Sequence, residues 1–348
     1  MIPLAMINPP PFPFPAIAYP FAPIITSMDN FDGNYFDTPG AKIALEHIVA
    51  SRIEGRSAAK QLAAYAHAGA PTVDVLETEW PKSARMAWPM QPDCPQEEAV
   101  LRIQGIICKA VLPPKRPAPR SPRTSVRYLE QSFTLTGLNT LTFNMAIDGV
   151  FSIAESFGRQ LDNMTPWHPG QFEGFSTLTT SNRLFTKQSF DKRHQAVPVE
   201  GAVDPIGSLI DMAGEEYVHT EDNVVRYLKC LASPDGKVSY TPSMASAFKP
   251  GDIVEAQISL VVLPSRNGQQ DLKLILRAMT MLDDSFSKAA RIAMMKSPRP
   301  DSCVVVRTTC KRKPIRQIGY DDDCADDHSV NEVSKRVKSL QVTADTGE

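Results

Sequence analysis

The chain has 348 residues, with 37 basic and 39 acidic side chains, a net charge of -2, 42% hydrophobic residues and 30 prolines. That length and apolar content support one large domain or two small ones with a real core. They exclude collagen, a disulfide-dense mini-protein and a chain disordered throughout, while the proline excess keeps part of the chain out of regular helix and sheet.

The first 25 residues, MIPLAMINPPPFPFPAIAYPFAPII, are apolar but carry eight prolines and no basic residue. Prolines at that density prevent the helix a signal peptide needs, so residues 1–37 are expected to form a polyproline-like arm. Phe12, Phe14, Tyr19 and Phe21 are its candidate docking side chains for a protein partner. Residues 38–112 come next, as an Ala-rich helical region followed by a strand. Thr38 is placed to cap the helix and Pro39 suits its first position. Leu45, Ile48, Val49 and Ile53 fall at helical spacing, and Gly55 weakens or divides the helix. Residues 71–98, with five prolines, predict an irregular connection, and Ala99 to Leu112 a strand or strand pair.

Pro113 to Arg123, PPKRPAPRSPR, holds five prolines, four basic residues and no acid. With its flanks (113–125) it is expected to be a stiff linker or exposed loop, and its P-x-x-P spacing is of the kind SH3-type domains bind. A β-rich core is then expected over 126–296. Val126 to Leu138 alternates as a strand, and Phe143 to Phe157 fits strand or helix. Residues 161–202 are expected to be loop with one short strand over Phe175 to Thr180, and Pro205 to Ala213 a turn or two of helix. Val224 to Ala232 and Val238 to Thr241 flank a tight turn at Pro234-Asp235-Gly236. The strongest local pattern follows the turn Lys249-Pro250-Gly251-Asp252. Val254, Ala256, Ile258, Leu260 and Val262 share one face, while Glu255, Gln257 and Ser259 share the other. The loop PSRNGQQD then returns to a strand with Leu272, Leu274 and Leu276 on its apolar face. The prediction is a long antiparallel hairpin.

The runs DPIGSLIDMAG, VHTEDNVVRYL, FKPGDIVEAQISLVVLP and LILRAMTMLDDSF, between Asp204 and Asp284, resemble an uncharacterised protein group expanded in mushroom-forming (basidiomycete) fungi. The resemblance implies a fungal, non-secreted protein and transfers no site residue. In shape, the K-P-G-D-I-V turn, long strand and returning L-R-A-x-x-x-L strand are similar to the closing strands of oligonucleotide-binding (OB) barrels, including some phage single-strand-binding proteins. The fold class expected from the element pattern is α+β, with an antiparallel β-rich core, either an OB-like barrel as the second resemblance implies or another curved antiparallel sheet, an N-terminal helical region and disordered ends.

Six scattered cysteines (Cys94, Cys108, Cys230, Cys303, Cys310, Cys324) without a C-x-x-C suit the reduced thiols of nucleus or cytoplasm. Cys303, Cys310 and His328 lack the close spacing of a zinc site. No proline-free run of 18 apolar residues predicts a membrane span. The phosphate loop, the nucleophile elbow, the dinucleotide fingerprint and the H-E-x-x-H motif are all missing from the sequence. No cofactor is expected. Among Glu215, Glu216, His219, Glu221 and Asp222, the set His219, Glu221, Asp222 is a candidate metal site or a general base among carboxylates. The same HTEDN run suits a turn whose Asp222 or Asn223 caps backbone N–H groups. Trp167-His168-Pro169-Gly170 is either a packed aromatic loop or a pocket wall.

From Phe286 to Tyr320 nine basic residues face only Asp301, and five aspartates then crowd positions 321–327. Residues 297–348 are accordingly expected to be a tail of low order, basic and then acidic. Lys311, Arg312 and Lys313 are candidates for an import receptor or for phosphate contacts. The function these features favour is a non-enzymatic binding protein, nuclear or cytoplasmic, that contacts nucleic acid or a protein partner. The alternatives are a metal-dependent hydrolase centred on His219, and an interaction protein using its proline-rich segments.

Overall fold

The computed structural model describes residues 34–297, except 55–56, 68–69, 80–81, 91–93, 114–122, 189–194, 233–237 and 266. The apolar arm through position 33, the turn at Pro234 to Gly236, the centre of the Pro/basic segment and the tail beyond Ser297 lie outside the described residues.

Helix α1 (Thr38–Ile53) starts one residue earlier than expected, because Asp37 accepts a hydrogen bond from the Gly40 N–H at 3.0 Å and is the cap. Its apolar stripe Ala41, Leu45 and Val49 is buried. Beyond the expected break come two short 3-10 turns, Ala58–Lys60 and Leu62–Tyr65. The expected irregular stretch instead holds a hairpin, β1 (Asp74–Glu79) and β2 (Lys82–Ala87). Its local apolar signal is thin, and what holds it is tertiary: β2 pairs outward with a later strand.

The chain continues through β3 (Val100–Val111), β4 (Glu130–Thr136), α2 (Leu141–Gly158), β5 (Gly170–Phe172), β6 (Phe175–Arg183) and β7 (Thr186–Lys187). It ends with α3 (Ser208–Ala213), β8 (Tyr217–Val218), β9 (Arg226–Ala232), β10 (Val238–Pro242), β11 (Ile253–Pro264), β12 (Gln270–Asp283) and α4 (Ser285–Lys296). The fold is α+β. The predicted hairpin is β11–β12, with Ile258 opposite Leu276 and Leu260 opposite Leu274, and its connection is shorter than expected, spanning 265–269.

Five strands make a closed circuit. β3 pairs β4, β4 pairs β6, β6 meets β12 in parallel, β12 pairs β11, and β11 pairs β3. Numbered by sequence within the circuit, the order is first, second, third, fifth, fourth. β3, N-terminal to the Pro/basic segment, is thus hydrogen-bonded on both sides to strands beyond it. The β1–β2 and β9–β10 pairs extend the sheet from the ends of β11 and β12.

The residues 143–157 that fit either element form a helix. Phe143, Ala146, Ile147, Val150, Ile153 and Phe157 recur at helical spacing and are buried with Leu135, Leu178, Ile258 and Leu274. Gly137 permits this packing, since a Cβ there would lie 2.1 Å from the Phe143 Cβ. A second apolar cluster joins Leu45 and Val49 of α1 to Ile106 and Ile253 on the opposite face of β3 and β11.

That cover corrects the two-faced reading of β11. Glu255 and Ser259 are as buried as Ile258, with 1%, 0% and 1% of their surface exposed. The Glu255 carboxylate lies 2.9 Å from the Arg52 guanidinium of α1 and accepts from the Gln104 amide at 2.8 Å, with Arg102 at 3.9 Å. A buried carboxylate is tolerable only with such partners. At Glu255 the polar face lies under α1, while Ser259 accepts from Arg277 Nε of β12 at 3.1 Å.

Candidate functional site

The starts of β4 and β12 and the ends of β6 and β11 converge on one cleft of about 670 Å³. It is lined by Arg127 and Tyr128 from the turn entering β4, by Glu130 and Arg183, by Asp271 and Lys273, and by the β11–β12 connection at Ser265 and Asn267. Strand register assembles it. Glu130 stands directly opposite Arg183 across β4 and β6, and Lys273 lies two residues before Ile275, where β12 meets β6. The Arg127 guanidinium sits 5.9 Å from the centre of the Tyr128 ring, and Tyr128 is 63% exposed. Lys273 and Asp271 are 3.7 Å apart, an exposed pair that leaves the ammonium largely hydrated.

Three cations thus share the cleft with two carboxylates. The connection from β3 to β4, the first and second circuit strands, contains the Pro/basic segment with Lys115, Arg116, Arg120 and Arg123.

The polar residues singled out from sequence are distributed differently. His219 is buried, its Nδ1 2.8 Å from the Leu184 carbonyl and its ring edge-on to Phe185. Asp222 accepts a bidentate pair of hydrogen bonds from Arg85, at 2.9 and 3.0 Å. That carboxylate holds the Arg85 guanidinium above its ordinary pKa against the opposing effect of burial. Glu221 is exposed. The HTEDN run forms a capping box, in which Asn223 Oδ1 accepts from the Thr220 N–H at 3.0 Å. Glu215 and Glu216 are exposed. Among the described residues no group of three His, Cys, Asp or Glu side chains is arranged to hold a metal ion.

Trp167 packs edge-on against Phe151 with ring centres 5.1 Å apart, and His168 is exposed. Asp204, in the loop between Gly201 and Gly207, accepts from the N–H groups of Leu209 and Ile210 and so caps α3. Burial, aided by Glu173, pushes the Cys108 thiol up to about 12, which suits an inert core thiol. No described helix is long and apolar enough to cross a membrane. Lys311, Arg312 and Lys313 lie outside the described residues.

Arg127, Tyr128, Arg183 and Lys273 were not singled out from sequence. Each looks ordinary alone.

No protein-family model and no curated protein matches the chain, so neither comparison returns the fungal group. Among solved structures, the chain is similar to the crystal structure of gp2.5, a single-stranded DNA binding protein encoded by bacteriophage T7, at 12% identity and TM-score 0.25. That match covers 53% of this chain and 86% of the phage protein.

Proposed function

We propose that the chain is a non-enzymatic binding protein that takes single-stranded nucleic acid along the cleft of Arg127, Tyr128, Arg183 and Lys273. The observation that carries this reading is that cleft itself, an exposed aromatic among cations beside the closing seam of a five-stranded circuit. Cations in such a groove gain affinity by releasing counterions from phosphates. An exposed ring offers a stacking platform that unpaired bases can use and a duplex cannot. The four further cations between β3 and β4 support the same occupant.

The test is equilibrium binding of a fluorescent single-stranded oligonucleotide across a salt series. Arg183→Glu and Lys273→Glu are expected to weaken binding and to reduce the slope of log affinity against log salt by roughly 0.7 per lost phosphate contact. Tyr128→Ala is expected to weaken binding about tenfold and leave that slope unchanged. Binding that is insensitive to salt, or variants that bind like the unmodified chain, would overturn the reading.

A further inference from the structure

A second concavity of about 340 Å³ has Gln131, the neighbour of the cleft residue Glu130, in its wall. Glu130 and Arg183 line the cleft, while the next residues, Gln131 and Leu184, face the second pocket or hold its wall. The end of the β4–β6 ladder is extended by the Leu184 N–H donating to the Leu129 carbonyl at 2.9 Å.

The pocket's chemistry differs from the cleft's. Val197, Val203 and Val224 supply apolar walls, and at the exposed rim Glu200 and Glu221 outnumber the single guanidinium of Arg226. Two carboxylates at the mouth repel a phosphate but not a neutral ring. His219 also lines the pocket and has only 9% of its surface exposed. A carbonyl oxygen can only accept, so the Nδ1 facing Leu184 carries the proton and donates. In the neutral ring that fixes Nε2 as an acceptor, and it is the ring atom left for an occupant.

We infer that this pocket takes one unstacked nucleobase of the bound strand, its faces against the valines and an N–H of its edge donated to His219 Nε2. The inference rests on the nucleic-acid reading of the cleft and adds a base-contacting residue to it. It assigns His219 a positioning and recognition role rather than the metal-binding role its neighbours suggest in sequence.

The test scans a short oligothymidylate with one abasic residue moved along its length, bound to the full chain. One position is expected to lose about tenfold in affinity when its base is removed. His219→Asn keeps a donor for the Leu184 carbonyl and removes Nε2, so it is expected to abolish that position dependence. Pro198→Trp, at an exposed position on the wall, fills the pocket from its mouth and is expected to do the same at an unchanged melting temperature, which decides the matter if His219→Asn unfolds. A flat scan with binding intact, or a penalty that survives Pro198→Trp, overturns the pocket and leaves the cleft standing. No binding of any oligonucleotide overturns both.

Discussion

The two seams that β12 makes within the circuit differ in how they are held. Against β11 it is laced by backbone pairing from Ile253 opposite Asp283 to Pro264 opposite Gln270. Against β6 the backbone meets at one pair, Ser181 opposite Ile275. There, side chains do the joining. Thr180 Oγ1 donates to the Leu274 carbonyl at 3.1 Å, and the Asn182 amide donates to the carbonyls of Leu276 and Asp222 at 3.0 and 2.8 Å. A long ladder needs only backbone and a matching apolar register, whereas a short parallel contact needs specific donors in place. The candidate binding cleft opens at the second seam, where side chains rather than a ladder fix the geometry.

The largest expected effect comes from attacking the laced seam. Ile258→Asp puts an unpaired charge into the core at 1% exposure and should destabilise by about 4 kcal/mol or more in denaturant unfolding. A loss no larger than that of Gln257→Asp would show the register to be wrong.

A smaller effect belongs to the point where that seam starts. Burial raises the Asp252 carboxyl from 3.8 to about 6, against hydrogen bonds from Ser287 and the Lys249 N–H; the nearby Asp284 raises it and Arg291 lowers it. The folded state therefore holds its proton more tightly than the unfolded chain. The contribution is fully present below pH 3.8 and is lost as pH rises through about 6. Stability should fall by roughly 2–3 kcal/mol over that window from this group, and Asp252→Asn should flatten that part of the profile. An unchanged profile in the variant would contradict the assignment.

The side-chain seam is tested by Asn182→Ala, which strands the Leu276 carbonyl (the Asp222 carbonyl keeps Arg277 as a donor at 2.9 Å) and should cost about 2 kcal/mol, and by Thr180→Val at about 1 kcal/mol. If both cost nothing, the seam is not held as described. Tyr128→Ala, exposed beside that seam, should change stability by less than about 0.5 kcal/mol while weakening oligonucleotide binding. The smallest effect on stability is expected beyond both seams. Alanine at Lys311, Arg312 and Lys313 should leave the melting temperature unchanged, and if the run is read by an import receptor it should move a fluorescent fusion from nucleus to cytoplasm. A fusion that is cytoplasmic before substitution ends the import reading.

The β11–β12 hairpin was legible because period-two alternation over Val254 to Val262 and a polar turn are local properties. Helix α1 was legible for the same reason, its cap displaced by one residue because Asp37 rather than Thr38 reaches the Gly40 N–H. The β1–β2 hairpin was not, since it depends on Arg85 and Ala84 docking beside Val261 and Val262. Glu255 appeared to mark a wet face because its partner Arg52 lies 203 residues earlier in the chain. The HTEDN run offered either a metal or base site or a capping turn, and the fold makes it a capping box with Asp222 bound to Arg85.

By itself the sequence determined the α+β class, the apolar face of the longest hairpin and the position of its basic segments, because propensity, alternation and charge act over a few residues. Tertiary structure alone decided that five strands close into a circuit, that a helix covers Glu255 of β11, and that Arg127, Tyr128, Arg183 and Lys273 share one cleft. Those outcomes depend on pairings between residues tens to hundreds of positions apart, whose loop-closure cost and burial gain are set by the whole fold and leave no local pattern.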